Sequence, residues 1–257
     1  MKITICGAAG RMGQSILDIA KTDENVQICG AVEYDASPAI GTGTPAIISA
    51  SSIESVLPAT EVLIDFTNPD NALKNLEFAK KYKIPVIIGT TGFIAEQKEK
   101  IAEAAKEIPV VLSPNMSVGV NILFKLVEEV TKLIPDYDIE ILELHHNKKK
   151  DAPSGTAVKL ADIAAAAIGK NMNEIGVYGR KTVLGERRKD EIGVMSIRGG
   201  DIVGEHTVYF AGTGERIELT HRAQSRNTFG AGAVRAAKWV IGKEPGLYDM
   251  QDVLGLK

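Results

Sequence analysis

This chain of 257 residues has little cysteine, no surplus of either charge and no long hydrophobic run. Two cysteines occur, Cys6 and Cys29, each inside an apolar strand-like stretch, and both read as buried, reduced thiols of a cytosolic protein. With 30 basic and 33 acidic residues the net charge is −3, so the molecule as a whole has no pull toward nucleic acid or an anionic membrane. Any anion site must therefore be local. No apolar run approaches the length that crosses a bilayer, and Met1-Lys2 leads straight into a strand pattern without the hydrophobic run and cleavage site of a secretory signal. Internal repeats and low-complexity tails are also missing. A soluble, cytoplasmic globular protein is expected, with 44% hydrophobic and 25% charged residues and enough length for one large domain or two modest ones.

The first 115 residues alternate between two periods. Short β-branched runs at Ile3–Cys6, Val26–Val32, Val62–Phe66, Val86–Ile88 and Val110–Leu112 are mostly separated by amphipathic stretches, Met12–Lys21, Asn71–Tyr82 and Ala95–Glu107. Apolar strands joined by helices predict a parallel sheet wrapped on both faces. Tyr34–Ser52, rich in Gly, Pro, Ser and Thr, reads as a surface excursion with room for one short strand. Near residue 116 the pattern changes. A long helix over Val118–Ile134, capped by Asn115 or Ser117, is followed by an alternating strand, Tyr137–His145, and a helix over Thr156–Ile168 that stops at Gly169. Beyond the Gly- and Arg-rich stretch Gly176–Asp190 come strands at Ile192–Arg198, Val203–Ala211 and Arg216–His221, which predict an antiparallel or mixed sheet. A last helix, Thr228–Ile241, is expected to pack back onto the first domain. The fold class is therefore α/β, with a Rossmann-like doubly wound sheet over 1–116 plus 227–257 and a second α+β domain on a mixed sheet over 117–226.

Two clusters carry chemistry. In the first, Gly7-Ala8-Ala9-Gly10-Arg11-Met12-Gly13 lies between a strand and a helix, and Glu33 ends the next strand about 20 residues later. Glycines there permit a tight turn and let a pyrophosphate approach the helix N-terminus, while the acid accepts ribose hydroxyls. This predicts dinucleotide binding. Arg11 could reach a 2′-phosphate that Glu33 would repel, so NADH and NADPH both stand. Two further strand-end loops, Asp65-Phe66-Thr67 and Gly89-Thr90-Thr91-Gly92, offer backbone and hydroxyl groups to the nicotinamide half, and the two glycines of the second imply close approach of something to the backbone.

The second cluster is Glu143–Ala157, with His145, His146, three lysines and the turn Ser154-Gly155-Thr156 ahead of an Ala-rich helix. Strand alternation sends His145 and His146 to opposite sides, so no metal site is expected. His145 can serve as a general acid close to Lys149, and the helix start, capped by Ser154 or Thr156, offers N–H groups to a carboxylate. A small polyanion that receives a proton fits this equipment.

Together these motifs, with Ser113-Pro114-Asn115-Met116, Ile197–His206 and Thr220–Arg226, resemble the 4-hydroxy-tetrahydrodipicolinate reductase family over the whole chain. The resemblance implies hydride transfer from NADH or NADPH to a cyclic imine dicarboxylate in the diaminopimelate route to lysine. It implies His145 as proton donor, Lys149 as its helper and a substrate ligand, and His146, Ser154, Gly155 and Thr156 as further substrate contacts. Coenzyme contacts fall on Gly7–Gly13, Glu33, Phe66, Thr67, Gly89–Thr91, Ser113–Met116, Arg226 and Phe229. A homotetramer joined through the second sheet is also implied. The position after the ribose-binding acid, basic in members that favour NADPH, is Tyr34. Lys148 and Lys150 receive no role. An acylating dehydrogenase would need a nucleophilic thiol, which cysteines inside the first domain's strands do not supply.

Overall fold

The structure, a computed structural model, describes residues 1–181 and 185–257; part of the stretch Gly176–Asp190 thus lies outside the described residues. The chain divides into two compact units, Met1–Val118 with Arg226–Lys257, and Gly119–Ser225.

The first unit is built on seven strands. In chain order its elements are β1 (Lys2–Cys6), α1 (Arg11–Lys21), β2 (Gln27–Glu33), β3 (Ile47–Ser49), β4 (Val62–Asp65), α2 (Pro69–Tyr82), β5 (Val86–Ile88), α3 (Ala95–Ala104) and β6 (Pro109–Leu112). All strand pairs are parallel, and the order from β6 inward is β6-β5-β4-β1-β2-β3. The sheet is buried on both faces, and the alternation within each strand says which face each side chain serves. Ile3, Ile5, Val62, Ile64, Ile87 and Val111 pack with α1. Cys6, Leu63, Val86, Ile88 and Val110 pack on the other side with Leu76 of α2 and Ile101 of α3. Cys6 is buried as expected, whereas Cys29 is only partly covered, because its place near the start of β2 lies toward the sheet margin.

The second unit holds α4 (Val118–Leu133, entered from the first unit), β7 (Asp138–His145), α5 (Gly155–Ala167), a single turn α6 (Met172–Ile175), β8 (Gly176–Tyr178), β9 (Ile192–Arg198), β10 (Gly204–Ala211) and β11 (Arg216–Ala223). Its sheet is mixed, ordered β11-β10-β7-β9-β8, with β7–β9 and β8–β9 parallel and the rest antiparallel. Strands consecutive in sequence, β9 and β10, are therefore not neighbours; β7 lies between them. One face, Ile139, Ile141, Ile192, Val194, Val208 and Phe210, packs against Val120, Leu123, Phe124 and Val127 of α4 and the alanines of α5.

The chain closes in the first unit with α7 (Asn227–Val240), β12 (Gly246–Tyr248) and α8 (Met250–Leu254). Helix α7 lies against α1: Ser15 Oγ donates to Asn227 Oδ1 at 3.0 Å, and a Cβ on Gly230 would meet that same Oγ at 2.7 Å. Strand β12 extends the sheet beyond β6. The short elements β8, α6, β12 and α8 were not legible in the sequence: β8 (Gly176-Val177-Tyr178) and β12 (Gly246-Leu247-Tyr248) lack the β-branched runs of the other strands, and α6 and α8 span little more than one turn. The strand that Tyr34–Ser52 had room for is β3.

Candidate active site

In the first unit the parallel strands end together, and the switch in strand order falls between β1 and β4, where ligands of such sheets bind. The loop after β1 is shaped by two glycines that admit no side chain. Gly7 has φ +81°, and a Cβ there would lie 2.6 Å from the Phe66 carbonyl oxygen; a Cβ on Gly13 would lie 2.1 Å from the Gly7 oxygen. Gly10 stands at the N-cap of α1 without a side-chain cap, so the first turn's N–H groups face outward at an exposed, bare position. Glu33 ends β2 beside this loop, accepting the Ala9 N–H at 2.9 Å and the Tyr34 N–H at 3.1 Å. Arg11 is exposed and Met12 half-buried on the same turn. A cavity of about 640 Å³ opens over Gly7, Gly10, Glu33, Phe66 and Thr67, with Tyr34, Asp35 and Lys74 also lining it. Its volume suits part of a dinucleotide, and a bare helix start with an acid at the neighbouring strand end suits its phosphates and ribose. These residues fit the coenzyme that the sequence implied.

The remaining coenzyme candidates lie at further strand ends. The hydroxyls of Thr67 and Thr90 both donate to Asp65 Oδ1 at 2.8 Å, and Asn75 Nδ2 donates to Oδ2 at 2.7 Å. Asp65 is wholly buried, and burial raises its pKa against those hydrogen bonds. The two hydroxyls are thus committed to a buried carboxylate, and the loops present backbone instead. The group that crowds Gly89 is also internal: a Cβ there would lie 2.1 Å from Cζ of Phe66. Gly92 (φ +89°) and Thr91 remain exposed. In the loop after β6, Ser113 Oγ donates to the Asn115 carbonyl at 2.9 Å, Asn115 Oδ1 accepts the Ser117 N–H at 2.9 Å, and Pro114 is exposed. Met116 is a core side chain whose carbonyl oxygen would be 1.7 Å from a Cβ on Gly232. Arg226 and Phe229 flank the start of α7, joined by the Phe229 N–H to the Arg226 carbonyl at 3.0 Å.

In the second unit, sheet register assembles the other cluster. On β7, Glu143 and His145 share a face; across β9 they meet Ser196 and Arg198, and across β10 His206 stands opposite Glu143. His145 Nδ1 lies 2.5 Å from Glu143 Oε2. Arg198 grips both Glu143 oxygens, at 2.8 and 2.7 Å, and also donates to the Asp151 carbonyl at 2.8 Å. The N–H of Ser154, N-cap of α5, donates to Glu143 Oε1 at 3.1 Å, while its hydroxyl caps Ala157 N–H and meets His206 Nε2 at 3.0 Å. The Glu143 side chain is fully buried. Burial works to raise its pKa, yet hydrogen bonds from His145, Arg198 and Ser196 hold the carboxyl well below the usual range. The buried ring of His206 stacks edge-on against His145 at 5.2 Å, and burial, reinforced by the charge of His145, pushes its pKa down to about 3.

Lys149 is salt-bridged to Asp151 at 2.9 Å, beside the carbonyl that Arg198 holds. Lys148 and Lys150 are exposed. His146 is half-buried, its carbonyl accepting the Lys149 N–H at 3.1 Å. A Cβ on Gly155 would meet nothing within 4 Å, so the start of α5 is open to a bulky anion, with Thr156 half-buried beside it. Sequence reasoning had missed Glu143, Arg198 and His206 as members of this site. The one available signal was Glu143 at two residues before His145, the spacing that puts both on one face of a strand.

A glycine turn and a terminal acid on a doubly wound sheet, together with a second unit carrying a histidine and a cationic loop, define a dinucleotide-dependent oxidoreductase. Known proteins agree. Residues 1–116 match the family model for the N-terminus of dihydrodipicolinate reductase, and residues 119–254 match that for its C-terminus. The 4-hydroxy-tetrahydrodipicolinate reductases of Trichlorobacter lovleyi and Geobacter sulfurreducens are each 52% identical to this chain, covering all of it and 100% and 99% of their own lengths. A dipicolinate-bound dihydrodipicolinate reductase from Paenisporosarcina sp. TG-14 shares the fold, with a TM-score of 0.79 at 24% identity over 98% of both chains. The chain belongs to the dihydrodipicolinate reductase family.

Proposed function

We propose that this enzyme reduces 4-hydroxy-tetrahydrodipicolinate to tetrahydrodipicolinate with NADH or NADPH, in the diaminopimelate route of lysine biosynthesis. The observation that carries the site assignment is His145, held by the buried Glu143 on a strand end that leads into the Lys149 loop and the start of α5.

The bound nicotinamide supplies the hydride. The glycine loop Gly7–Gly13 receives the pyrophosphate, and Glu33 takes a ribose; Phe66, Thr67, Gly89–Thr91, Ser113–Met116, Arg226 and Phe229 border the rest of the coenzyme. In the second unit Lys149 and His146, with Ser154 at the start of α5 and the N–H groups of Gly155 and Thr156, hold the two carboxylates of the substrate. Substrate binding must then draw Lys149 from the exposed Asp151, a pair worth about 1 kcal/mol or less. Once the carboxylates are neutralised, electron flow toward the ring nitrogen is easier, and His145 delivers the proton that completes the reduction.

In the same proposal the molecule is a cytoplasmic homotetramer assembled through the second sheet. Support comes from that sheet's other face, where Leu142, Leu144, Met195, Ile197 and Tyr209 alternate with the core residues and remain half-buried or exposed. Among the described residues no helix is long and apolar enough to cross a membrane. The reaction is tested by following NADH and NADPH oxidation with substrate generated in place from pyruvate and aspartate semialdehyde. Oxidation with at least one coenzyme is expected, and failure with both removes the assignment. Light scattering on the purified chain gives the mass of the assembly; a monomer would refute the tetramer.

A further inference from the structure

The Glu143 carboxylate accepts more hydrogen bonds than its role as a buried anion requires. Two donors come from Arg198, one from the Ser154 backbone, one from Ser196 and one faces it from His145. An ionised carboxylate can only accept, so the contact at 2.5 Å fixes the proton on His145 Nδ1. The other ring nitrogen is treated in the opposite way. Nε2 makes no hydrogen bond among the described residues, and it stands over the bare Cα of Gly204, where a Cβ would lie 3.0 Å from it. The register places Gly204 beside His145 just as it places Arg198 on the other side, so the neighbouring strands hold one nitrogen and clear space at the other.

We propose that Glu143, clamped by Arg198, is the positioning residue of the proton donor: it keeps His145 Nδ1 protonated and turned inward, and makes Nε2 the atom that gives the proton. This rests on the reductase reading above. In the step itself the Nε2–H bond of the protonated ring breaks and its electron pair stays on nitrogen. The hydride's electron pair forms the new C–H bond, the π bond it adds to breaks, and the proton bonds to the substrate atom that receives the displaced π pair. The neutral ring keeps its Nδ1–H on Glu143 throughout, so it cannot rotate or change tautomer between turnovers, and Nε2 regains a proton from water. Arg198 balances the charge of Glu143 and, through the Asp151 carbonyl, ties the same clamp to the loop that bears Lys149. A dyad of carboxylate and histidine acts in the same sense wherever a buried acid orients a catalytic imidazole.

The test is the tautomer. In the full-length enzyme labelled with ¹⁵N-histidine, and with the His145 resonances identified by their loss in His145→Gln, the neutral ring is expected as the Nδ1–H form. Glu143→Gln is expected to show a mixture of tautomers and to lose about 10- to 100-fold in kcat while substrate KM stays within about threefold. Its NADH dissociation constant should not move. A neutral Nε2–H tautomer in the wild type overturns the proposal, and so does a folded Glu143→Gln enzyme with unaltered kcat. Should that variant fail to fold, the wild-type tautomer still decides. A wild type without turnover would count against the reductase reading instead, and the spectrum would still report whether Glu143 sets the tautomer.

Discussion

Phe66 lays its ring on the bare backbone of Gly89, with Cζ 2.1 Å from where a Cβ would stand. The two residues follow adjacent strands, β4 and β5, and the Gly89 N–H is hydrogen-bonded to the Asp65 carbonyl at 2.9 Å. Because Phe66 also lines the coenzyme cavity, the contact sets the shape of its wall. Gly89→Ala must push the ring aside, an overpacking change that costs about 1–3 kcal/mol. Urea unfolding should report that loss, and NADH titration should report weaker binding than wild type. An alanine variant equal to wild type in both would mean that the ring is free to move.

Two carboxylates, Glu33 and Asp35, line the cavity against one cation, Lys74. Hydrogen bonds from Ser49 and Ser51 hold the pKa of Asp35 low, so it is charged at neutral pH. Each would repel a 2′-phosphate by about 1 kcal/mol at contact distance in water, which is roughly fivefold in affinity. NADH is therefore expected to give the higher kcat/KM when the coenzymes are compared side by side. Preference for NADPH would show that Arg11 or Lys74 outweighs both acids.

The buried ring of His206 couples stability to pH. Its pKa is about 3 in the folded protein against 6.5 ordinarily. As pH falls below about 6.5 the unfolded chain takes up a proton that the folded one refuses, so stability declines toward pH 3 by about 1.4 kcal/mol per unit. Above that window the group contributes nothing. Denaturant unfolding between pH 7 and pH 4 should show a slope shallower by about one proton in His206→Gln than in the wild type. Equal slopes would mean that the ring is protonated in place.

Pyridine-2,6-dicarboxylate, a planar mimic of the substrate, should stabilise the enzyme in the presence of NADH. At a hundredfold excess over its dissociation constant the gain is about 2.7 kcal/mol. Lys149→Ala is expected to lose most of that shift in a thermal melt with little change in the melting temperature of the ligand-free protein, since the Lys149 pair with the exposed Asp151 contributes little. A full shift in the variant would move the carboxylate contact elsewhere.

The double period of the first 115 residues made the parallel sheet and its helices legible, because each β-branched strand is buried on both faces and each helix on one. His145 and the Ser154 cap were legible for the same local reason: one ends an alternating strand, the other starts a helix. What escaped was set by register. Arg198 and His206 reach Glu143 from strands 55 and 63 residues away in sequence, pairings that no local spacing encodes. The glycine at 89 showed the opposite limit. Close approach to its backbone was readable, but that the approaching group includes the Phe66 ring of the same unit was not.

The most direct measurement compares wild type with His145→Gln in steady-state NADH oxidation, alongside NADH binding to each. Removing a proton donor from a positioned acid costs about 10²- to 10⁴-fold in rate. Turnover should fall by that order while the NADH dissociation constant stays unchanged, because His145 belongs to the second unit and the coenzyme loop to the first. Turnover near the wild-type rate would contradict the assignment of His145 as the proton donor.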